Sequence, residues 1–212
     1  KTAMDYITAE PTTDGALTAA ITCKEAFGEQ IKITVTSRDN PGASASCMVD
    51  YKQQFEGYLF SASQTGKTPT LNNSTKKGTI YADFETTEQL KITYSYKKSS
   101  VYTVALNDSE ITAPATLDVS IDNDSLKEAM NAAKSGSGDA FKVTPTDKVF
   151  TMDLFNKKLV ESATPAQVNA IITAVPTPSF FPPITFSFKD VAEKLLMEFK
   201  ISINTTTIKR QK

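Results

Sequence analysis

DGALTAAITCKEAFGEQIKITVTSRDNPGASASCMVDY, residues 14–51, carries three runs in which apolar side chains fall on every second position. The first run is Leu17, Ala19, Ile21 and Cys23, and the second is Ile31, Ile33 and Val35. The third is Ala43, Ala45, Cys47, Val49 and Tyr51, with Ser44, Ser46 and Asp50 on the opposite parity. A two-residue period marks a strand with one buried and one wet face. The breaks agree: KEAFG ends on Gly28, and RDNPG places Pro41 and Gly42 where a turn wants them. Three half-buried strands are predicted here.

Outward from this stretch the pattern stays β-rich. FEGYLFSA, TIYADF, QLKITYSY and ATLDVSI read as strands, and VYTVAL reads as the second arm of a hairpin with QLKITYSY about KKSS. Helical signals are confined to about 125–174. Ser125 with Glu128 forms a capping-box pattern ahead of Leu126, Ala129, Met130 and Ala133. DKVFTMDLFNKKLVES, 147–162, reads as a second helix with a broad apolar face. A third begins at Thr164, with Pro165 in the first helical position, Gln167 completing the box, and Val168, Ile171, Ile172 and Val175 along one side. PTPSFFPP, 176–183, is irregular because its prolines lack donors. Leu195, Met197, Phe199, Ile201 and Ile203 alternate, which predicts a long strand paired with ITFSF.

The expected fold class is therefore mainly β: a β module over 1–53, then a β-rich α+β domain over 54–212 with two or three short helices. The 212 residues carry 23 basic and 24 acidic side chains, a balance that excludes the basic footprint of a general nucleic-acid binder. No apolar run approaches the ~18–20 residues of a membrane span, so no membrane insertion is expected in this segment. Histidine is absent, which removes the triads and imidazole metal sites that depend on it. Thr and Ser make up 47 residues, an enrichment suited to strands with a wet face and common on secreted and surface proteins.

Residues 14–51 resemble the second half of a bacterial Ig-like domain of the group-two type. The likeness rests on the Asp14–Gly15 turn, Gly28, and the Ile33–Val35–Thr36–Ser37 strand. The Asp39–Asn40–Pro41 turn and the Ala45–Cys47–Val49 closing strand complete it. The resemblance implies a β-sandwich module of surface or phage-virion proteins, adhesive or spacing rather than catalytic. Such a sandwich needs roughly seven strands, and 1–53 supply three or four, so its opening half is missing. The chain also opens on Lys1 without a signal-like apolar segment. A fragment, completion by the rest of the chain, and completion by a neighbour's strand all remain open.

Several motifs compete with plainer readings. SASQTGKT, 61–68, mimics the end of a phosphate-binding loop, but Ser61 replaces its first glycine and Pro69 does not open a helix. Asp118, Asp122, Asp124 and Glu128 could gather calcium ligands, but Lys127 occupies the position that needs glycine, and helix capping explains the same residues. Cys23 and Cys47 fall on inward positions. A flat three-strand meander would hold them about 9.5 Å apart, beyond the ~7 Å that a disulfide tolerates. On opposite sheets they could bond, which would stabilise by roughly 3 kcal/mol; two buried free thiols are the alternative.

Tyr94, Tyr96 and Tyr102 are candidates for stacking on sugar rings, and Phe180 and Phe181 for contact with a protein partner. No cofactor and no metal are expected, and no catalytic residues stand out. The expectation is a non-catalytic structural or adhesive segment of a larger extracellular, cell-surface or virion protein, with a protein partner or self-assembly. Glycan or protein binding through the tyrosines or the proline loop is the competing class.

Overall fold

A computed structural model describes residues 1–82, 89–100, 102–133, 141–153, 164–174 and 183–205. Along the chain run α1 (Ala3–Tyr6), β1 (Ile7–Pro11), β2 (Ala19–Cys23), β3 (Ile31–Thr36), β4 (Ser44–Val49) and β5 (Phe55–Ser63). There follow β6 (Thr70–Asn72), β7 (Lys77–Ala82), β8 (Gln89–Lys98), β9 (Thr116–Ile121) and α2 (Asp124–Ala133). The last elements are β10 (Lys142–Thr146), β11 (Val149–Asp153), α3 (Pro165–Ala174), β12 (Ile184–Lys189) and β13 (Leu195–Thr205). The protein is mainly β, with several sheets and small helices.

Two compact units result: 1–57 with 96–111, and 58–95 with 112–212. The first is therefore not one contiguous stretch, because the boundary falls inside β5 and again inside β8. In the first unit β1 pairs with β2 and β3 with β4, both antiparallel, as two separate ribbons. The first predicted row lies against β1, with Cys23 opposite Ile7 and Ile21 opposite Ala9, and the other two face one another, with Ile33 opposite Cys47 and Val35 opposite Ala45. Among the described residues its buried apolar side chains are few, namely Ile7, Phe27 and Ile111. The Phe27 ring packs between Tyr6 at 6.1 Å and Tyr51 at 5.5 Å.

The second unit holds the larger core. A five-stranded sheet runs β6-β7-β13-β12-β9 and a four-stranded one β10-β11-β8-β5. Leu90, Ile92 and Tyr94 of β8 alternate with exposed neighbours, as a half-buried strand demands. Rings from the two sheets meet: Phe60 lies 4.1 Å from Phe188 and 5.6 Å from Phe199, while Phe150 lies 5.4 Å from Phe188. The long alternating strand is β13, antiparallel to β12 with Ile201 opposite Ile184, and parallel to β7 on its other side.

One edge of this sandwich is closed by side chains. Asn73 accepts from the Phe60 N–H at 2.7 Å and donates to the Phe60 carbonyl at 2.9 Å. Gln64 does the same for Tyr81, accepting at 2.9 Å and donating at 2.7 Å, just beyond the residues that β6 pairs. Each amide imitates a missing strand residue, with one acceptor and one donor in a plane.

Three readings of the sequence need correction. Residues 147–153, expected to be helical, belong to the β10–β11 hairpin, where Phe150 and Met152 face inward opposite Ile92 and Leu90 of β8. The rest of that helix, 154–162, lies outside the described residues. VYTVAL is not the partner of β8, whose neighbours are β5 and β11; Val104 forms an isolated bridge to Lys52 instead. The cap of α2 is Asn123, whose Oδ1 accepts from the Leu126 N–H at 2.8 Å, rather than Ser125. The α3 start is as expected: Thr164 and Gln167 exchange backbone-to-side-chain bonds of 2.8 and 3.3 Å. Leu126, Met130 and Ile171 bury the inner faces of α2 and α3.

Candidate interaction surface

Burial fades along both ribbons of the first unit. Ile7 is buried and its partner Cys23 half-buried, yet two residues along, Ala9 and Ile21 are exposed. Ile31, Ile33 and Val49 are half-buried, whereas Val35, Ala45 and Cys47 are exposed. Ile21 stands 44% exposed and Val35 62%. Leu17, expected to face inward, precedes β2 and is fully exposed. Period two put these residues on one face; nothing among the described residues covers the far end of that face. Between the ribbons lies a groove of about 290 Å³, lined by Ile7, Ala9, Ile31 and Ile33 with Met4 and Lys32 at its side. Met4 and Ala9 were not singled out in the sequence, although ITAEP carries the same alternation as the strands that were.

The cysteines sit on β2 and β4, in different ribbons, and both are free thiols. Cys47 is exposed rather than buried, which departs from both readings of the pair. Tyr94 is 4% exposed, its ring 6.2 Å from those of Phe60 and Phe150, so it faces the sandwich interior and offers no surface to a sugar. Tyr96 is half-buried and meets Phe55 edge-on at 6.1 Å. Tyr102 is 43% exposed but lies on an irregular segment, so the structure does not bring the three tyrosines together as one platform. Phe180 and Phe181 lie outside the described residues.

The phosphate-loop look-alike is a tight turn: the Lys67 N–H donates to the Gln64 carbonyl at 3.3 Å, Gly66 takes φ +65°, and β6 follows without a helix. Two members of the acidic cluster pair with lysines. Asp118 pairs with Lys189 and holds that ammonium above its ordinary range. Asp122 pairs with Lys200 at 3.2 Å, and Lys200 donates to the buried Thr185 hydroxyl at 2.6 Å. This hydroxyl–lysine–carboxylate group is a cross-strand link.

Residues 102–111 are tied back to 51–54 by the Val104 N–H to the Tyr51 carbonyl, the Gln53 N–H to the Val104 carbonyl (both 2.7 Å), and the Lys52–Glu110 pair. Lys52, then the Asn107 N–H, hold the Glu110 carboxyl below its ordinary value. A depressed carboxyl stabilises above its unfolded pKa and loses that effect as pH falls through the folded one. Amide exchange at Gln53 and Val104 is therefore expected to accelerate as pH drops below about 4, after correction for intrinsic rates and before the β8 amides respond. Simultaneous loss at all of them would show that the pair does not hold this segment.

No helix among the described residues is long and apolar enough to cross a membrane. Comparison with protein-family models, with curated proteins and with solved structures gives no match.

Proposed function

We propose that the chain is a non-catalytic structural and adhesive segment of a larger extracellular, cell-surface or virion protein, and that its first unit is a contact surface. One observation carries this reading: the far ends of the two apolar rows, at Ile21 and Val35, stand open to water. Each square ångström of such surface that a partner covers contributes roughly 25 cal/mol. Backbone pairing along a ribbon edge supplies the direction that apolar contact lacks. The resemblance of residues 14–51 to the closing half of a group-two Ig-like module supports the same reading. The Ser/Thr-rich composition suits an extracellular or virion setting.

The test is dye binding joined to stability. A fluorescent apolar probe such as anilinonaphthalene sulfonate is expected to light up on the folded chain. The signal should fall in Ile21→Ser/Val35→Ser, while that variant's unfolding free energy shifts by no more than about 0.5 kcal/mol per site, as exposed positions do. Absence of a signal, or a cost above about 2 kcal/mol per site of the kind that buried residues show, would mean that the rows are already covered. A glycan captured on an array and lost in Tyr102→Ala would replace this reading with a carbohydrate-binding one.

A further inference from the structure

The two seams of the second unit's sandwich differ. On one side the Asn73 amide satisfies Phe60 of β5 and the Gln64 amide satisfies Tyr81 of β7. On the other side β9 ends the five-stranded sheet and β10 ends the four-stranded one, and no described strand pairs with β9 there. A groove of about 420 Å³ lies along that edge.

Its lining shows what kind of surface it is. Thr116, Leu117, Asp118 and Val119 all border it in succession. A groove on a sheet face would touch alternate residues, whereas consecutive ones mean that the strand's edge and its peptide groups are presented. The facing directions follow from the ladder. Asp122, just past the strand, donates its N–H to the Pro183 carbonyl toward β12 at 3.2 Å. Peptide groups alternate sides along a strand, so the N–H and C=O of Leu117 and Val119 point to the open edge.

The opposite wall is Phe141, Val143 and Pro145. Pro145 has no N–H and so offers β9 no donor at that position. In the groove wall the Thr116 hydroxyl is buried and has no hydrogen-bond partner, a cost of ~1–3 kcal/mol unless something polar meets it.

We propose that this groove binds an extended peptide strand that adds to β9 by backbone pairing. Its apolar side chains at alternate positions lie against Phe141, Val143 and Pro145. Only another strand repeats donors and acceptors at the spacing that Leu117 and Val119 present. Thr116–Val119 spans about 10 Å, three rises of ~3.3 Å, enough for three or four peptide residues. The site lies in the second unit and does not depend on what covers the first.

Amide hydrogen exchange on the whole chain tests this directly. In the free protein Asp118 and Ser120 should exchange at least about a hundredfold more slowly than Leu117 and Val119. Adding the soluble peptide KTVTVTK should slow Leu117 and Val119 about tenfold or more, whereas the same peptide N-methylated at both valines, whose N–H groups face β9 in an antiparallel pair, should not. Val119→Pro removes an edge donor while sparing the β12 ladder, and should abolish binding of the fluorescein-labelled peptide with the circular dichroism unchanged. Slow Leu117 and Val119 in the free chain, equal effects of both peptides, or undiminished binding by a folded Val119→Pro would each overturn the assignment. If that variant fails to fold, exchange in the unmodified chain decides alone.

Discussion

Phe188→Ala is expected to destabilise the second unit by about 3–5 kcal/mol, the cost of deleting a fully buried aromatic and leaving its cavity. Phe188 is wholly buried, and its ring sits 4.1 Å from Phe60, 5.4 Å from Phe150 and 6.1 Å from Phe199. Among the described residues it is thus the one ring of the opposite sheet that approaches both Phe60 of β5 and Phe150 of β11. Removing it strips contact from both strands at once, and the offset and edge-on ring pairs add about 0.5–1.5 kcal/mol each beyond area. Against a total of ~5–15 kcal/mol for a domain, the variant should unfold at much lower urea. A shift under about 1.5 kcal/mol would mean that the two sheets do not share this cluster. Phe55→Ala, on a ring 38% exposed at the other end of β5, should cost much less.

The second large effect concerns a hydrogen atom. Gly78 lies in β7 between Leu71 of β6 and Ile201 of β13. A Cβ placed there would stand 2.5 Å from the Thr70 carbonyl oxygen, 2.7 Å from the Leu71 side chain and 2.9 Å from that of Ile201. A side chain can swing away, but the Thr70 oxygen is backbone and can yield only if the β6–β7 ladder opens. Gly78→Ala is accordingly expected to lose about 1–3 kcal/mol, despite alanine's better fit to a strand. Gly28→Ala, where no atom lies within 4 Å, is the control and should change little. Equal urea midpoints for the two would show that β6 is not closely packed at this point.

These two positions differ in how visible they were from sequence. ITFSF and the row Leu195 to Ile203 announce their inward side chains by period two, and both became central strands of the larger core. The α3 cap was equally plain, because Thr164, Pro165 and Gln167 act within one turn of each other. Gly78 carried no such mark. Its constraint comes from a carbonyl on a neighbouring strand and from Ile201, more than a hundred positions along the chain.

The same distinction explains the errors. Val149, Phe150 and Met152 suit a helix face or a short strand equally well, and pairing with Leu90 and Ile92 of β8 settles which. Its turn gives no glycine warning, since Asp147 itself takes the positive φ of 53°. Tyr94, Tyr96 and Tyr102 looked alike as aromatics near one predicted hairpin. Their fates diverged because Tyr94 is buried beside Phe60 and Phe150 of its own sheet, Tyr96 meets Phe55, and Tyr102 lies on no strand.

Strand parity, turn chemistry and helix starts could be read directly from the chain, because each depends on side chains a few residues apart and on the two-residue repeat of an extended backbone. The mainly β class and the apolar rows of the first ribbons follow from those alone. The sheet order, the parallel contact of β13 with β7, the amide stitching by Asn73 and Gln64, and the open edge of β9 do not. Each requires two distant segments to arrive at hydrogen-bonding distance, and the alternation of one strand says which face it buries without saying which strand will lie beside it.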